Sequence, residues 1–254
     1  MTEEQEWGTP EGRAMVELLW NPPAPSTRGP KQRLSVDRVV EEAMALAAEN
    51  GVDGLSMRSL AQRLGVGAMS LYTYVPGRDE LFELMVDRAW AVREKADPSS
   101  PWRDQLEHHA RQAWAMYERY PWMIQANLWR MPLGPHVLDS QEDLYRAANL
   151  TGLPKSDVSR VASLVESFVF GAARAQITDR AQAAQTGVTT DDYWSSRSSF
   201  WATYYSAERF PAMTELWEAG AFDEGNLDDP LRFGLQRLLD GVELLVIRTV
   251  GGDS

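Results

Sequence analysis

Apolar residues recur along most of this chain at spacings of three and four, the period of an α-helix lying against a core. Val36, Val39, Val40, Ala43, Met44 and Ala47 form one such face, with Ser35 as N-cap and Asn50-Gly51 as the stop. Ser56 caps a second, short helix through Leu64, which Gly65 ends. A third runs from about 67 to 74, before the Pro76-Gly77 break. Asp79 opens a longer helix to about 95, with Phe82, Met85, Val86, Ala89 and Trp90 on one side. After Asp97-Pro-Ser-Ser-Pro101 the pattern predicts helices at 102–120, 122–131, 136–151, 155–184, 190–207, 211–220 and 230–250. The period-two alternation of strands is absent, so the expected fold is all-α.

Residues 1–34 fit none of these faces well. Met15–Trp20 offers one short apolar run that can make a helical turn, then Asn21-Pro-Pro-Ala-Pro25 breaks it, so the stretch reads as an arm. Length then bounds the rest. A chain of 254 residues fits one large or two modest domains.

Composition removes whole classes of chemistry. There is no cysteine, so disulfides, thiolate nucleophiles and Cys-ligated zinc are excluded. Three histidines (His108, His109 and His136) are too few for a His-rich metal site, and surface or capping roles suit them better. No metal or other cofactor is expected. No apolar run approaches a membrane span and the first residues are acidic, so a cytoplasmic protein is the expectation. The net charge of -12 is unevenly spread: -4 over 1–27, zero over 28–95 and -8 over 96–254. From Ser56 to Arg78 there are three arginines (Arg58, Arg63 and Arg78) and no carboxylate. An acidic body with one acid-free basic segment suits a DNA binder.

That segment, Met57–Val75, has the requirements of two short helices crossing steeply through a tight turn. Ala61 is small where the helices meet, and Gly65 permits positive φ. Leu60, Leu64, Val66, Leu71 and Tyr74 fill the small core between them. This is helix-turn-helix spacing. Gly67, Ala68, Met69, Ser70 and Thr73 are left on the outer, groove-facing side of the second helix.

Leu60–Val66, Ser70–Val75 and Arg78–Phe82 resemble the DNA-binding domain of the TetR family of bacterial transcriptional repressors. The run Phe233–Gly241 resembles the closing helix of the tetracycline-repressor-like subgroup. The resemblance implies a helix-turn-helix DNA-binding domain at 35–78, a connecting helix at 79–96 and an effector-binding and dimerisation domain at 97–254, after the arm at 1–34. It implies a non-enzymatic repressor whose partners are double-stranded operator DNA, a small-molecule effector and a second copy of itself. Arg58 stands where such proteins place a guanine-reading arginine, a phosphate contact or a solvent-exposed helix charge being the alternative. Gly67, Ala68 and Met69 fall at the base-facing start of the second helix, with Thr73 beside them. Ser56, Ser70, Tyr72, Tyr74 and Arg78 occupy phosphate-holding positions, though Tyr74 also suits core packing. Lys31 and Arg33 could reach the backbone or minor groove from the arm, or have no docking role.

Behind the head, Val158, Val161, Val165, Phe168 and Ala172 form one apolar seam. Leu231, Leu235, Leu238, Val242 and Leu245 form another, with Gly234 and Gly241 one heptad apart. Two seams suit a four-helix bundle between two subunits, the alternative being core within one chain. Seven of the ten tryptophans follow residue 96. Trp114, Tyr117, Trp122, Met123 and Trp129, with Phe168, Trp201 and Tyr204 from later helices, are candidate lining for an apolar or planar ligand. Ligand binding would then tilt the connecting helix and shift the spacing of two heads on DNA.

Overall fold

The computed structural model describes residues 8–23, 34–125, 131–222 and 229–251. Those residues form thirteen α-helices and no strand. They divide into two compact units, residues 1–162 and 163–254.

The first unit opens with a helix inside the stretch read as an arm. Helix α1 (Pro10–Trp20) starts at Thr9, whose hydroxyl accepts from Gly12 N at 3.1 Å, with proline at the first turn. Met15 and Leu19 are buried, α1 packs on α5, and Trp20 Nε1 donates to the Leu133 carbonyl at 2.9 Å. The turn read at Met15–Trp20 is thus the end of a longer helix that starts at the Thr9 cap. Lys31 and Arg33 lie outside the described residues.

Helix α2 (Val36–Gly54) begins at the Ser35 cap and buries Val36, Val39, Val40, Ala43 and Ala47. Gly51, at φ +69°, interrupts it where the sequence predicts a stop. Helices α3 (Met57–Leu64), α4 (Ala68–Leu71) and α5 (Arg78–Trp90) follow. α2 packs against α3, α5 and α7 (Trp122–Gln125). Further along, α6 (Trp102–Arg119) lies on α8 (Pro135–Asn149), which also packs on α5.

Helix α5 stops at Trp90, short of the expected 95. Tertiary partners take over from the helical ladder there. Arg93 pairs with Asp143 at 2.5 Å, Glu94 N donates to Gln112 Oε1 at 3.0 Å, and His108 Nε2 donates to the Glu94 carbonyl at 2.9 Å. The helix expected over 122–131 keeps only α7, followed by 126–130 outside the described residues and a non-helical 131–134.

Helix α9 (Lys155–Thr186) leads into the second unit. The helix expected over 190–207 is two pieces, α10 (Thr190–Ser195) and α11 (Ser199–Thr203). Between them Ser196 Oγ donates to the Tyr193 carbonyl at 2.8 Å, the local serine bonding that competes with a helix. Neither these helices nor α12 (Pro211–Glu218) buries a residue. The unit closes with α13 (Pro230–Val250), whose inner side is Leu231, Leu235, Leu239 and Val242. Gly234 meets Phe168 of α9 so closely that a Cβ would stand 2.4 Å from the ring.

Candidate DNA-reading head and effector region

The head is built from short-range chemistry. Ser56 and Ser59 form a reciprocal capping box at the start of α3. Gly65 ends it in the left-handed region at φ +68°, and its N–H returns to the last turn. Leu60, Ala61 and Leu71 are buried between the two helices, with Val75 behind them. Leu64, Val66 and Tyr74 are only half-buried. Helix α4 is one turn long, and Tyr72, Thr73 and Tyr74 continue as a turn rather than as helix. Gly67, Ala68, Met69, Ser70, Tyr72 and Thr73 are all exposed, Met69 by 77%. The Thr73 hydroxyl donates to the Ser70 carbonyl at 2.7 Å, which fixes that side of the turn.

The three arginines of the acid-free window have separate fates. Arg63 meets carboxylates from α2: Nε to Glu42 at 2.8 Å, and Nη1 and Nη2 to Glu49 at 2.6 and 2.8 Å. Hydrogen bonding to Glu49 and then Glu42 pushes the Arg63 guanidinium above its usual pKa, and Arg63 in turn holds Glu49 below the usual carboxylate range. Arg78 turns inward. Its Nε donates to the Leu55 carbonyl at 3.0 Å and its Nη2 to the Val52 carbonyl at 2.9 Å, while the guanidinium lies over Phe82. It therefore braces α5 to the chain entering α3, while the residue itself stays exposed. Arg58 is exposed and makes no hydrogen bond or ion pair among the described residues. Ser56, on the same edge, is exposed as well, though its hydroxyl is engaged with Ser59.

The candidate effector residues fall in both units. In the first, Trp122 and Met123 are buried in α7, and Trp122 stands 6.3 Å from Phe82 between ring centres. Trp114 and Tyr117 are half-buried on α6. Trp129 lies outside the described residues. Sequence reading missed a set of buried polar atoms on α5, α6, α7 and α8. Trp90 Nε1, Gln105 Oε1, His109 Nε2, Trp122 Nε1 and Ser140 Oγ are buried with no hydrogen-bond partner among the described residues. Such atoms cost free energy when left unmet. His109 stacks on Trp90 at 6.2 Å, and burial, reinforced by the Arg93 charge, pushes its pKa down to about 4. It is therefore neutral at pH 7. A cavity of about 10 Å³ beside it, lined by Gln105, His108, Gln112 and Asp143 among others, has room for about one water. A larger cleft of about 720 Å³ opens between Met15, Val16 and Leu19 of α1, Glu83 of α5, and Met131–Leu133.

In the second unit Trp201 is the hub of a ring cluster. Its centre lies 5.2 Å from both Tyr205 and Trp217 and 5.3 Å from Phe200. Tyr204 stacks on Phe200 but is largely exposed. Phe168 is half-buried against Gly234. His136 hydrogen-bonds Asp87. Among the described residues no three His, Asp or Glu groups converge as a metal site would need.

Two family models cover this architecture. The model for bacterial regulatory proteins of the tetR family matches residues 39–85, and that for the tetracyclin repressor-like C-terminal domain matches 95–246. The chain belongs to the TetR family. The HTH-type transcriptional repressor DrrR1 of Streptomyces coeruleorubidus is 39% identical over 239 residues, covering 93% of this chain and 87% of that one. The HTH-type transcriptional repressor Rv1353c of Mycobacterium tuberculosis is 32% identical, covering 87% and 86%. Among solved structures, the Streptomyces coelicolor TetR family protein ActR in complex with actinorhodin superposes with a TM-score of 0.70 at 27% identity, covering 84% of this chain and 96% of that one. This TetR-family chain is a DNA-binding transcriptional repressor with a helix-turn-helix rather than an enzyme, and the N-terminal match spans α3 and α4. No helix among its described residues is long and apolar enough to cross a membrane. Helix α1 precedes both matched segments.

Proposed function

We propose that the protein represses transcription as a homodimer on a palindromic operator and leaves it when a small apolar or aromatic effector binds. The observation that carries this reading is the exposed, carboxylate-free surface of α4, with Arg58 projecting beside it. Arg58 reads guanine, Ala68 and Met69 meet thymine methyls, and Ser56, Ser70 and Tyr72 hold phosphates. With so few polar side chains on α4, DNA shape supplies much of the specificity.

Support for dimerisation comes from the outer sides of α9 and α13. Of the seam residues expected from sequence, Val161, Val165, Leu235 and Val242 are buried within one chain, whereas Phe168, Ala172 and Leu238 are half-buried and Leu245 is exposed. The exposed apolar side is Leu164 on α9, and Phe233, Leu244 and Ile247 on α13. Phe233 is 73% exposed, and a Cβ at Gly241 would meet open space, which suits close approach by a second copy.

For the effector, support comes from the unpartnered polar atoms on α5, α6, α7 and α8 and from the half-buried Trp114 and Tyr117. A planar ligand with hydrogen-bonding groups would satisfy those atoms and displace α5. A structure of ActR, a relative, holds actinorhodin. A second reading places the effector in the cleft under α1, whose volume is in the range of drug-sized ligands. Met15→Trp would fill that cleft and abolish ligand response only on the second reading. To reverse operator occupancy from about 99:1, the effector must favour one state by about 5.5 kcal/mol.

Selection of duplexes from a random pool by the full-length protein tests the function. The expected product is a palindrome with half-site centres about one helical turn apart. Recovery of unstructured sequence with no symmetry would contradict it.

A further inference from the structure

Helix α8 lacks a cap of its own. Its N-cap residue is Gly134, with no side chain, and Pro135 follows. The first free N–H groups of such a helix need acceptors, and its N-terminus favours negative charge. Both needs are met from another helix, 49 and 50 residues earlier in the chain. The buried carboxylate of Asp87, on α5, accepts from His136 N at 2.9 Å and Val137 N at 3.0 Å through Oδ1. Its Oδ2 accepts from His136 Nδ1 at 2.7 Å. Gly134 is what lets the carboxylate in. A Cβ there would stand 2.2 Å from Oδ1, although the backbone, at φ -84°, would accept alanine. Beyond the end of α5, Arg93 pairs with Asp143 in the middle of α8. At its other end α5 carries Arg78, which holds the carbonyls of Val52 and Leu55 just before α3. One continuous set of hydrogen bonds thus runs from the root of the DNA-reading head, along α5, into the first turn of α8.

We infer that Asp87 is the positioning residue that makes α8 move with α5, so that the state of the head and the state of the α6–α8 interior bias each other through this borrowed cap. The inference rests on the DNA-binding reading of α3 and α4. Coupling between two sites is reciprocal, so a head that answers to events at α8 must also report its own occupancy to α8. A packed intermediary is not enough: α5 must have two positions that both ends bias.

Hydrogen exchange on the full-length protein, with and without the selected operator duplex, tests this without knowing the effector. In the wild type the duplex slows exchange over residues 56–75 and also changes it over 134–142. In Gly134→Ala and Asp87→Ala the response over 56–75 persists and the response over 134–142 is lost. In the free protein the same variants exchange the His136 and Val137 amides about tenfold faster. His136→Ala, which removes only the ring donor and leaves both backbone bonds, keeps most of the response. Should the first two variants fail to fold, Asp87→Asn, of equal shape but without the charge, is expected to lose more than half of it. No change over 134–142 in the wild type, or an equal change in wild type, Gly134→Ala and Asp87→Ala, overturns the inference. No response over 56–75 in the wild type overturns the DNA-binding reading instead, and this inference with it.

Discussion

Arg58, Arg63 and Arg78 have the same charge, lie in the same 23-residue window, and do three different things. What separates them is distance along the chain. The carboxylates that take Arg63, Glu42 and Glu49, lie 21 and 14 residues earlier, where no local window counts them. Arg58→Ala is therefore expected to weaken operator binding by about 1–3 kcal/mol and to relax discrimination at one base pair, with thermal stability unchanged. Arg78→Ala should instead lower the unfolding temperature, because two backbone carbonyls lose their donor. Fluorescence anisotropy and thermal melts separate the two outcomes. Equal loss of affinity from both variants would contradict the assignment. His109 makes a second prediction. Its folded pKa of about 4 lies below the unfolded value, so the unfolded chain binds more protons between about pH 6.5 and 4. Stability should fall as pH drops through that window, by about 3 kcal/mol at most. Asp143 adds a loss at lower pH: burial raises its pKa, but the hydrogen bonds and charges of Arg93 and Arg146 outweigh that and hold it down. Denaturant melts of His109→Phe should show a flattened slope between pH 6.5 and 4, and an unchanged slope would count against a buried neutral histidine.

At the scale of elements, punctuation was legible where a residue has one conformational use. Ser56 and Gly65 bound α3, Pro135 opens α8 and Pro211 opens α12. Ends set by tertiary partners were not. Helix α5 stops at Trp90 because Asp143, Gln112 and His108 meet the residues after it, and α8 is capped from α5. The two heptad-spaced glycines of α13 looked alike in sequence but face different surroundings. Gly234→Ala would drive a Cβ into Phe168 and is expected to cost about 1–3 kcal/mol in thermal unfolding. Gly241→Ala meets nothing within its own chain and should be neutral or better there. Equal destabilisation by both would mean that the Gly234–Phe168 approach carries no strain.

For the whole molecule, the all-α class and the helix-turn-helix were readable because periodicity and turn chemistry are local. Which side of α9 and α13 faces outward was not readable, because both sides are apolar: Leu235 and Leu239 lie inside, and Phe233, Leu244 and Ile247 lie outside. Period alone finds a stripe without saying what covers it. Phe233→Glu together with Leu244→Glu is expected to shift the protein to monomer in sedimentation while leaving its helical content intact. A dimer that survives both would place the interface elsewhere. Two heads, each built on α3 and α4, are expected to bind one duplex together. An anisotropy titration against the selected operator, beside a copy with one half-site scrambled, checks this. Two chains per intact duplex and a drop in affinity of about a hundredfold or more on the scrambled one are expected. One chain per duplex, or equal affinity for both, would contradict it.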